Sequence, residues 1–196
     1  MDPEIYQEYR AVVLAGGGSR RMGEDKSGVT LRGKPLLVWV EQALESTGIE
    51  WSVLRHDLIP GLGPLGGVLT AFHQDAEKPI LFLSCDMPFL NRALLYSLVE
   101  ASNEAKSSAF SVVSERIGFP FLVLPDQAAV VSDRLDAGRR SLSGLGKAIP
   151  SAFVAPKERD VWRFHNINSP HDLEMAKAYL NRLETDDFRE FPECVE

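Results

Sequence analysis

The stretch from Tyr9 to Leu37, YRAVVLAGGGSRRMGEDKSGVTLRGKPLL, constrains the fold more than any other. Its run AVVLA, Ala11 to Ala15, is apolar without alternation, so a strand built from it must bury both faces. Burial on both faces calls for a parallel sheet covered by helices on each side. Three glycines, Gly16 to Gly18, end the run, and Arg20, Arg21, Asp25 and Lys26 follow. Glycines directly after a buried strand let the backbone turn sharply and approach a phosphate without side-chain interference.

Further elements alternate along the chain. Residues 33–46 read as a helix, with Pro35 at its first position and Leu36, Val40, Ala43 and Leu44 on one stripe. One extended segment fits in 49–57, the glycines and prolines of 58–67 mark a loop, and 65–77 reads as a helix. Pro79–Ser84 (PILFLS) is a second buried strand, ending in CDMPFL. Asn91 is placed to cap the helix that follows. AFSVV (109–113) and FPFLVL (119–124) predict strands with a turn around Ile117 and Gly118. Short helices over 126–138 and 141–149 and strands over 151–155 and 161–167 come next. Ser169, Pro170 and Asp172 then form a complete helix start: cap, first position and third position. The alternation predicts an α/β fold, in three α/β/α layers with a mostly parallel sheet, in which ligands bind beyond the carboxyl ends of the strands. The glycine loop and Asp86 both fall on that rim. A single domain over 1–182 and an acidic tail over 183–196 complete the expected organisation.

Two common phosphate loops fail on counting. Gly18 and Gly23 have the Walker interval, but Glu24 stands where the lysine belongs. Gly16 and Gly18 begin a dinucleotide fingerprint, but Arg21 stands where its third glycine belongs. What remains is a long loop of backbone amides and cations. Such a loop suits a triphosphate attacked at its α-phosphorus, with basic side chains neutralising the departing pyrophosphate.

Four segments, LAGGGSRRMGEDK, GLGPLGG, CDMPF and NINSPHDL, together resemble the landmarks of the molybdenum cofactor guanylyltransferase family. They stand in that family's order and span nearly the whole chain. The resemblance implies a Rossmann-type fold of the nucleotide-diphosphosugar-transferase kind. It also implies transfer of GMP from GTP to molybdopterin-bound molybdenum, with release of pyrophosphate. Carried over residue by residue, Leu14, Ala15, Gly16 and Gly17 match the backbone segment against the nucleotide. Lys26 matches the lysine that holds the triphosphate, with Arg21 or Arg20 assisting. Asp57 matches a nucleotide-contacting aspartate. Asp86 matches the ligand of Mg2+, and Asn166 and Asn168, expected at the end of the last strand, match residues reaching phosphate or pterin. Implied as well is a transient contact with the molybdoenzyme or cofactor-inserting protein that receives the product.

The chain departs from the family in two places. The interval from Ile49 to Leu62 has room for one strand only, and the family's guanine-side asparagine has no counterpart there. GFPFLVL (118–124) also lacks the polar residue usual before the proline of the acceptor-side strand. Two alternatives therefore stand beside guanylyl transfer. One is a related nucleotidyltransferase using CTP or a sugar-phosphate acceptor; the other is a non-catalytic nucleotide-binding homologue. A formal net charge of -7 speaks against general nucleic-acid binding. The apolar runs are too short to span a bilayer, and Cys85 and Cys194 lack metal-type spacing. A cytoplasmic location is the expectation.

Overall fold

A computed structural model describes residues 3–16, 29–75 and 77–185. After a 3-10 helix at Pro3–Glu8, the chain enters β1 (Arg10–Leu14), whose three central residues are buried. Beyond residue 28 a small antiparallel hairpin joins β2 (Thr30–Leu31) to β3 (Lys34–Pro35). Helix α1 (Leu36–Glu45) buries Leu36, Val40 and Leu44, each four residues apart. Pro35 stands one place earlier than its sequence context predicts. It is the N-cap, because pairing with Thr30 holds it in extended backbone.

Next come β4 (Glu50–Leu54), α2 (Pro64–Gln74), β5 (Ile80–Ser84) and α3 (Arg92–Ala105). The Asn91 side chain accepts a hydrogen bond from Leu94 N at 3.0 Å and caps α3. β6 (Ser108–Val113) and β7 (Arg116–Val123) form a hairpin. The predicted turn at Ile117 and Gly118 is displaced. Ser114 and Glu115 make it, with φ of 47° and 63°, and Val113 pairs with Arg116 across it. A two-residue loop with both residues left-handed matches the twist of the strands it joins. Helices α4 (Ala128–Asp136) and α5 (Leu142–Ala148) lead to β8 (Ser151–Val154), and α6 (Pro170–Thr185) is the last described element.

The strand predicted over 161–167 is absent. Residues Glu158–Phe164 form a 3-10 helix instead. Its side chains pair at a spacing of three: Arg163 donates to Asp160 at 2.8 Å, and the Trp162 ring lies 4.8 Å from that of His165. Trp162 also stacks on Tyr179 of α6 with the planes 7° apart. An extended backbone would send successive side chains to opposite faces and separate these pairs.

The sheet has the order β4-β1-β5-β7-β6-β8, and β7 runs antiparallel to both neighbours. The other strands run one way, so their carboxyl ends share one rim. One apolar cluster fills the face under α1 and α3, including Val13, Leu81, Leu83, Leu95 and Leu98. The other face, under α2, α4 and α5, is built around aromatic rings. Phe82, Phe121 and Phe110 follow one another at centroid separations of 5.1 and 5.4 Å. Each fully buried phenylalanine contributes about 1.5–3 kcal/mol from area removed from water. A third cluster joins the β2–β3 hairpin to α6 through Leu31, Leu36, Phe89, Ile167 and Tyr179.

Candidate active site

The strand order reverses around β1, which pairs with β4 on one side and β5 on the other. A crevice at such a switch point is the ordinary ligand site of an α/β sheet. Here a cleft of about 360 Å³ opens at the carboxyl rim. Its described lining runs across four strand ends: Asp57 beyond β4, Leu14 and Gly16 at β1, Ser84 at β5 and Phe119 on β7. Gly61, Gly63, Pro64 and Gly67, leading into α2, form one wall.

Local rules explain why these residues meet. Ala15 N donates to Leu54 O at 2.9 Å, carrying the β1–β4 pairing one residue past the strand. Gly16 then passes so close to β4 that an added Cβ would stand 2.6 Å from the Arg55 carbonyl oxygen. Only glycine fits without moving backbone. Gly63 takes φ of 69° as the N-cap of α2, and Pro64 occupies the first turn, where a missing N–H costs nothing. Gly67 lets α2 lie on β1, since a Cβ there would meet the Leu14 side chain at 2.9 Å. The amino end of α2 thus faces the cleft, where its dipole favours an anion. The loop before α2 is fixed by Leu58 N donating to the Thr70 hydroxyl at 2.8 Å.

Asp57 lines the cleft, and burial raises its pKa above the ordinary aspartate value. Asp86 is 6% exposed, in the turn after β5. The Ser84 hydroxyl, itself on the cleft, donates to Asp86 Oδ1 at 2.5 Å. The Asp86 carbonyl accepts from Ile167 N at 2.9 Å. Asp86 is therefore a junction: its carboxylate is tied to the cleft and its backbone to the segment holding Asn166 and Asn168. Those asparagines follow a 3-10 helix rather than ending a strand, and neither belongs to the described lining of the cleft.

Asn168 N donates to Asp172 Oδ2 at 2.9 Å, and Asp172 N donates to the Ser169 hydroxyl at 3.2 Å. Burial pushes the Asp172 carboxyl up, but hydrogen bonds from Asn168 and Ser169 and the nearby His165 outweigh it and leave the pKa lowered. This capping box fixes where α6 begins. Gly17, Arg21 and Lys26, together with Arg20 and Asp25, lie outside the described residues.

Sequence reasoning missed Ser84 and Phe119. Ser84 carried a signal, being the one hydroxyl at the rim end of the apolar run ILFLS. Phe119 carried none that separated it from the core phenylalanines around it. Among the described residues no group of three or more His, Cys, Asp or Glu is placed to hold a metal ion. A Mg2+ shared with a nucleotide needs less: one or two carboxylates, with phosphate oxygens and waters supplying the rest. Asp86, a carboxyl group tied by the Ser84 hydroxyl to a rim of backbone, fits that modest requirement.

Comparison with known proteins agrees with this geometry. Residues 11–56 and 51–149 match the MobA-like NTP transferase domain. The chain belongs to the MobA-like NTP transferase family. A molybdenum cofactor guanylyltransferase of Sinorhizobium fredii is 32% identical, the match covering 89% of this chain and 93% of that protein. One of Xanthomonas euvesicatoria is 31% identical, covering 85% and 93%. Among solved structures, molybdopterin-guanine dinucleotide biosynthesis protein A of Archaeoglobus fulgidus superimposes with a TM-score of 0.71 at 21% identity, over 88% of this chain and 99% of that one. The 2-C-methyl-D-erythritol 4-phosphate cytidylyltransferase of Thermus thermophilus gives 0.63 at 17% identity, over 87% and 98%. These two share the fold. The family match thus agrees with the α/β nucleotidyltransferase architecture expected from the sequence, including its mostly parallel sheet.

Proposed function

We propose that this chain transfers GMP from GTP to molybdopterin-bound molybdenum cofactor, releasing pyrophosphate. One observation carries the reading. A switch-point cleft joins Leu14, Gly16 and Asp57 to Ser84, and through Ser84 to a buried Asp86, in a nucleotidyltransferase family member. The names of the curated relatives support the identity of donor and acceptor.

In this reading Leu14 to Gly17 lie along the nucleoside and Asp57 contacts it. Lys26 and Arg21 hold the triphosphate. Asn166 and Asn168, fixed by the Ile167–Asp86 bond, reach toward the acceptor. An oxygen of the acceptor phosphate attacks the α-phosphorus in line, and the bond to the bridging oxygen of the β-phosphate breaks. The electron pair leaves with pyrophosphate. No side-chain nucleophile is needed, because positioning and charge neutralisation supply the catalysis. Asp86 would hold Mg2+, which would supply positive charge to the departing pyrophosphate. The reaction belongs in the cytoplasm, and the product passes by transient contact to the protein that receives the cofactor. Among the described residues no helix is long and apolar enough to cross a membrane.

A second reading, transfer of CMP from CTP, is favoured by the shortened interval. Only β4 and a loop separate Gly48 from Gly63, leaving no counterpart for the family's guanine-side asparagine. Titration calorimetry with GTP, CTP, ATP and UTP, each with and without Mg2+, separates the two. GTP preference strengthened by Mg2+ is the expected result. CTP preference replaces the first reading with the second, and binding of no triphosphate overturns both.

A further inference from the structure

The geometry points to Phe119 as the residue that stacks against the planar pterin ring of the acceptor. The inference rests on the guanylyl-transfer reading and extends it to the acceptor end of the cleft. Taken along the rim, the lining residues follow the strand order: Asp57 at β4, Leu14 and Gly16 at β1, Ser84 at β5, Phe119 at β7. The donor accounts for the first three positions. Its nucleoside lies along Leu14 and Gly16 with Asp57, and its α-phosphate comes near Ser84, whose hydroxyl holds Asp86. An attacking group in line with the leaving pyrophosphate must approach beyond that phosphorus. Phe119 is the next wall along the rim.

Phe119 is built as a platform. The β5–β7 pairing stops at Phe82 and Phe121, and Phe119 lies two residues further toward the rim, as Ser84 does on β5. Its ring rests on Phe121, with centroids 5.0 Å apart and planes at 57°. Phe121 is itself held between Phe82 and Phe110. The ring is therefore supported from behind while it lines the cleft in front, and it is the one aromatic among the described lining residues. At this position the chain carries Phe before Pro120 rather than a polar residue, so the wall offers a π-face and no hydrogen bond. A flat heteroaromatic ring is the ligand such a wall favours, and removing an aromatic platform typically costs a stacked ring about tenfold in affinity.

The test uses the full chain and Phe119→Leu, which keeps apolar volume but not the ring, beside Phe119→Tyr, which keeps the ring. Circular dichroism confirms that each is folded. With the donor site filled by α,β-methylene GTP and Mg2+, free pterin is titrated and its fluorescence quenching followed. GTP affinity is measured separately by calorimetry. Wild type and Phe119→Tyr should bind pterin within about twofold of one another, and Phe119→Leu about tenfold more weakly. GTP affinity should stay within about twofold in all three. Equal pterin binding by Phe119→Leu and wild type overturns the assignment. So does a matching loss of GTP affinity, which would put the ring on the nucleoside side, and so does absence of pterin binding by wild type. Failure of wild type to bind GTP is a separate result that sinks the guanylyl reading. Pterin quenching measured without nucleotide then still decides the role of Phe119.

Discussion

In the half of the sheet made by β4, β1 and β5, every strand runs toward the rim that carries the cleft. In the half made by β7, β6 and β8, the strand next to the cleft runs away from it. Direction decides which part of each strand meets the ligand. On the parallel side, Leu14 and Ser84 end their strands at the cleft, and Gly16, Asp57 and Asp86 follow just after the strands, outside the regular sheet. On the antiparallel side, the rim residue Phe119 lies inside β7 and stays locked to the aromatic stack behind it. The first half offers carboxylates and backbone groups; the second offers an apolar wall. In the proposed reading the parallel ends hold the donor, and the reversed strand shapes the acceptor side.

The comparison breaks most sharply at Asp86. Asp86→Asn keeps an oxygen to accept from Ser84, so the fold should persist while the charge is lost. Mg2+-dependent pyrophosphate release should fall about a hundredfold or more. Undiminished turnover would remove Asp86 from the metal role. Lys26→Ala tests the same half through the glycine loop: GTP affinity should fall about tenfold in calorimetry, as for loss of one charged phosphate contact.

Gly16→Ala comes next. The new Cβ would press on the Arg55 carbonyl, forcing the ends of β1 and β4 apart. A loss of about 1–3 kcal/mol in urea denaturation is expected, together with weaker GTP binding. Unchanged stability would mean that the rim of the parallel half yields more easily than its spacing indicates.

A smaller effect is expected at the start of α6. Ser169→Ala should cost about 1 kcal/mol and loosen the segment carrying Asn166 and Asn168. Asp172 adds a pH signature. Because its folded pKa is lowered, its stabilisation is present above the ordinary aspartate value and lost as pH falls through the lowered one. Asp172→Asn should therefore flatten the acid limb of a Tm-against-pH curve.

The smallest effect has the opposite sign. Asp57 has a raised folded pKa, so its ionised form is disfavoured in the fold and wild type loses stability as pH rises through the carboxylate range. Asp57→Asn should match or slightly exceed wild type in Tm at neutral pH, and that advantage should vanish in acid. The same variant should bind GTP more weakly. Equal GTP affinity would leave Asp57 as a turn residue only.

Most of the parallel half was legible in the sequence. AVVLA and PILFLS read as strands buried on both faces, and they are neighbours inside the sheet. The Asn91 cap and the Ser169–Asp172 helix start read correctly because those signals act within four residues. The hairpin turn was read three residues late. Gly118 looked like the obvious turn residue, while Ser114 and Glu115 took the left-handed backbone. The alternation of VWRFHNI suggested a strand, yet packing of Trp162 on Tyr179 wound it into a 3-10 helix. The two errors differ in cause: the turn was shifted by the local pairing of Val113 with Arg116, whereas the alternation was overruled by a partner on α6.

By itself, the sequence determined the layered α/β class, the place of Gly16 on the cleft rim and the presence of Asp86 near it. These follow from periodicity, from glycine's backbone freedom and from where apolar runs stop, all of which are local. Only the tertiary structure decided that β7 reverses, that Ser84 ties Asp86 to the cleft, and that Phe119, alone among the described phenylalanines, lines the described cleft. The sequence offers ten similar rings, and strand order and register, set by contacts between distant residues, choose which of them lines the cleft.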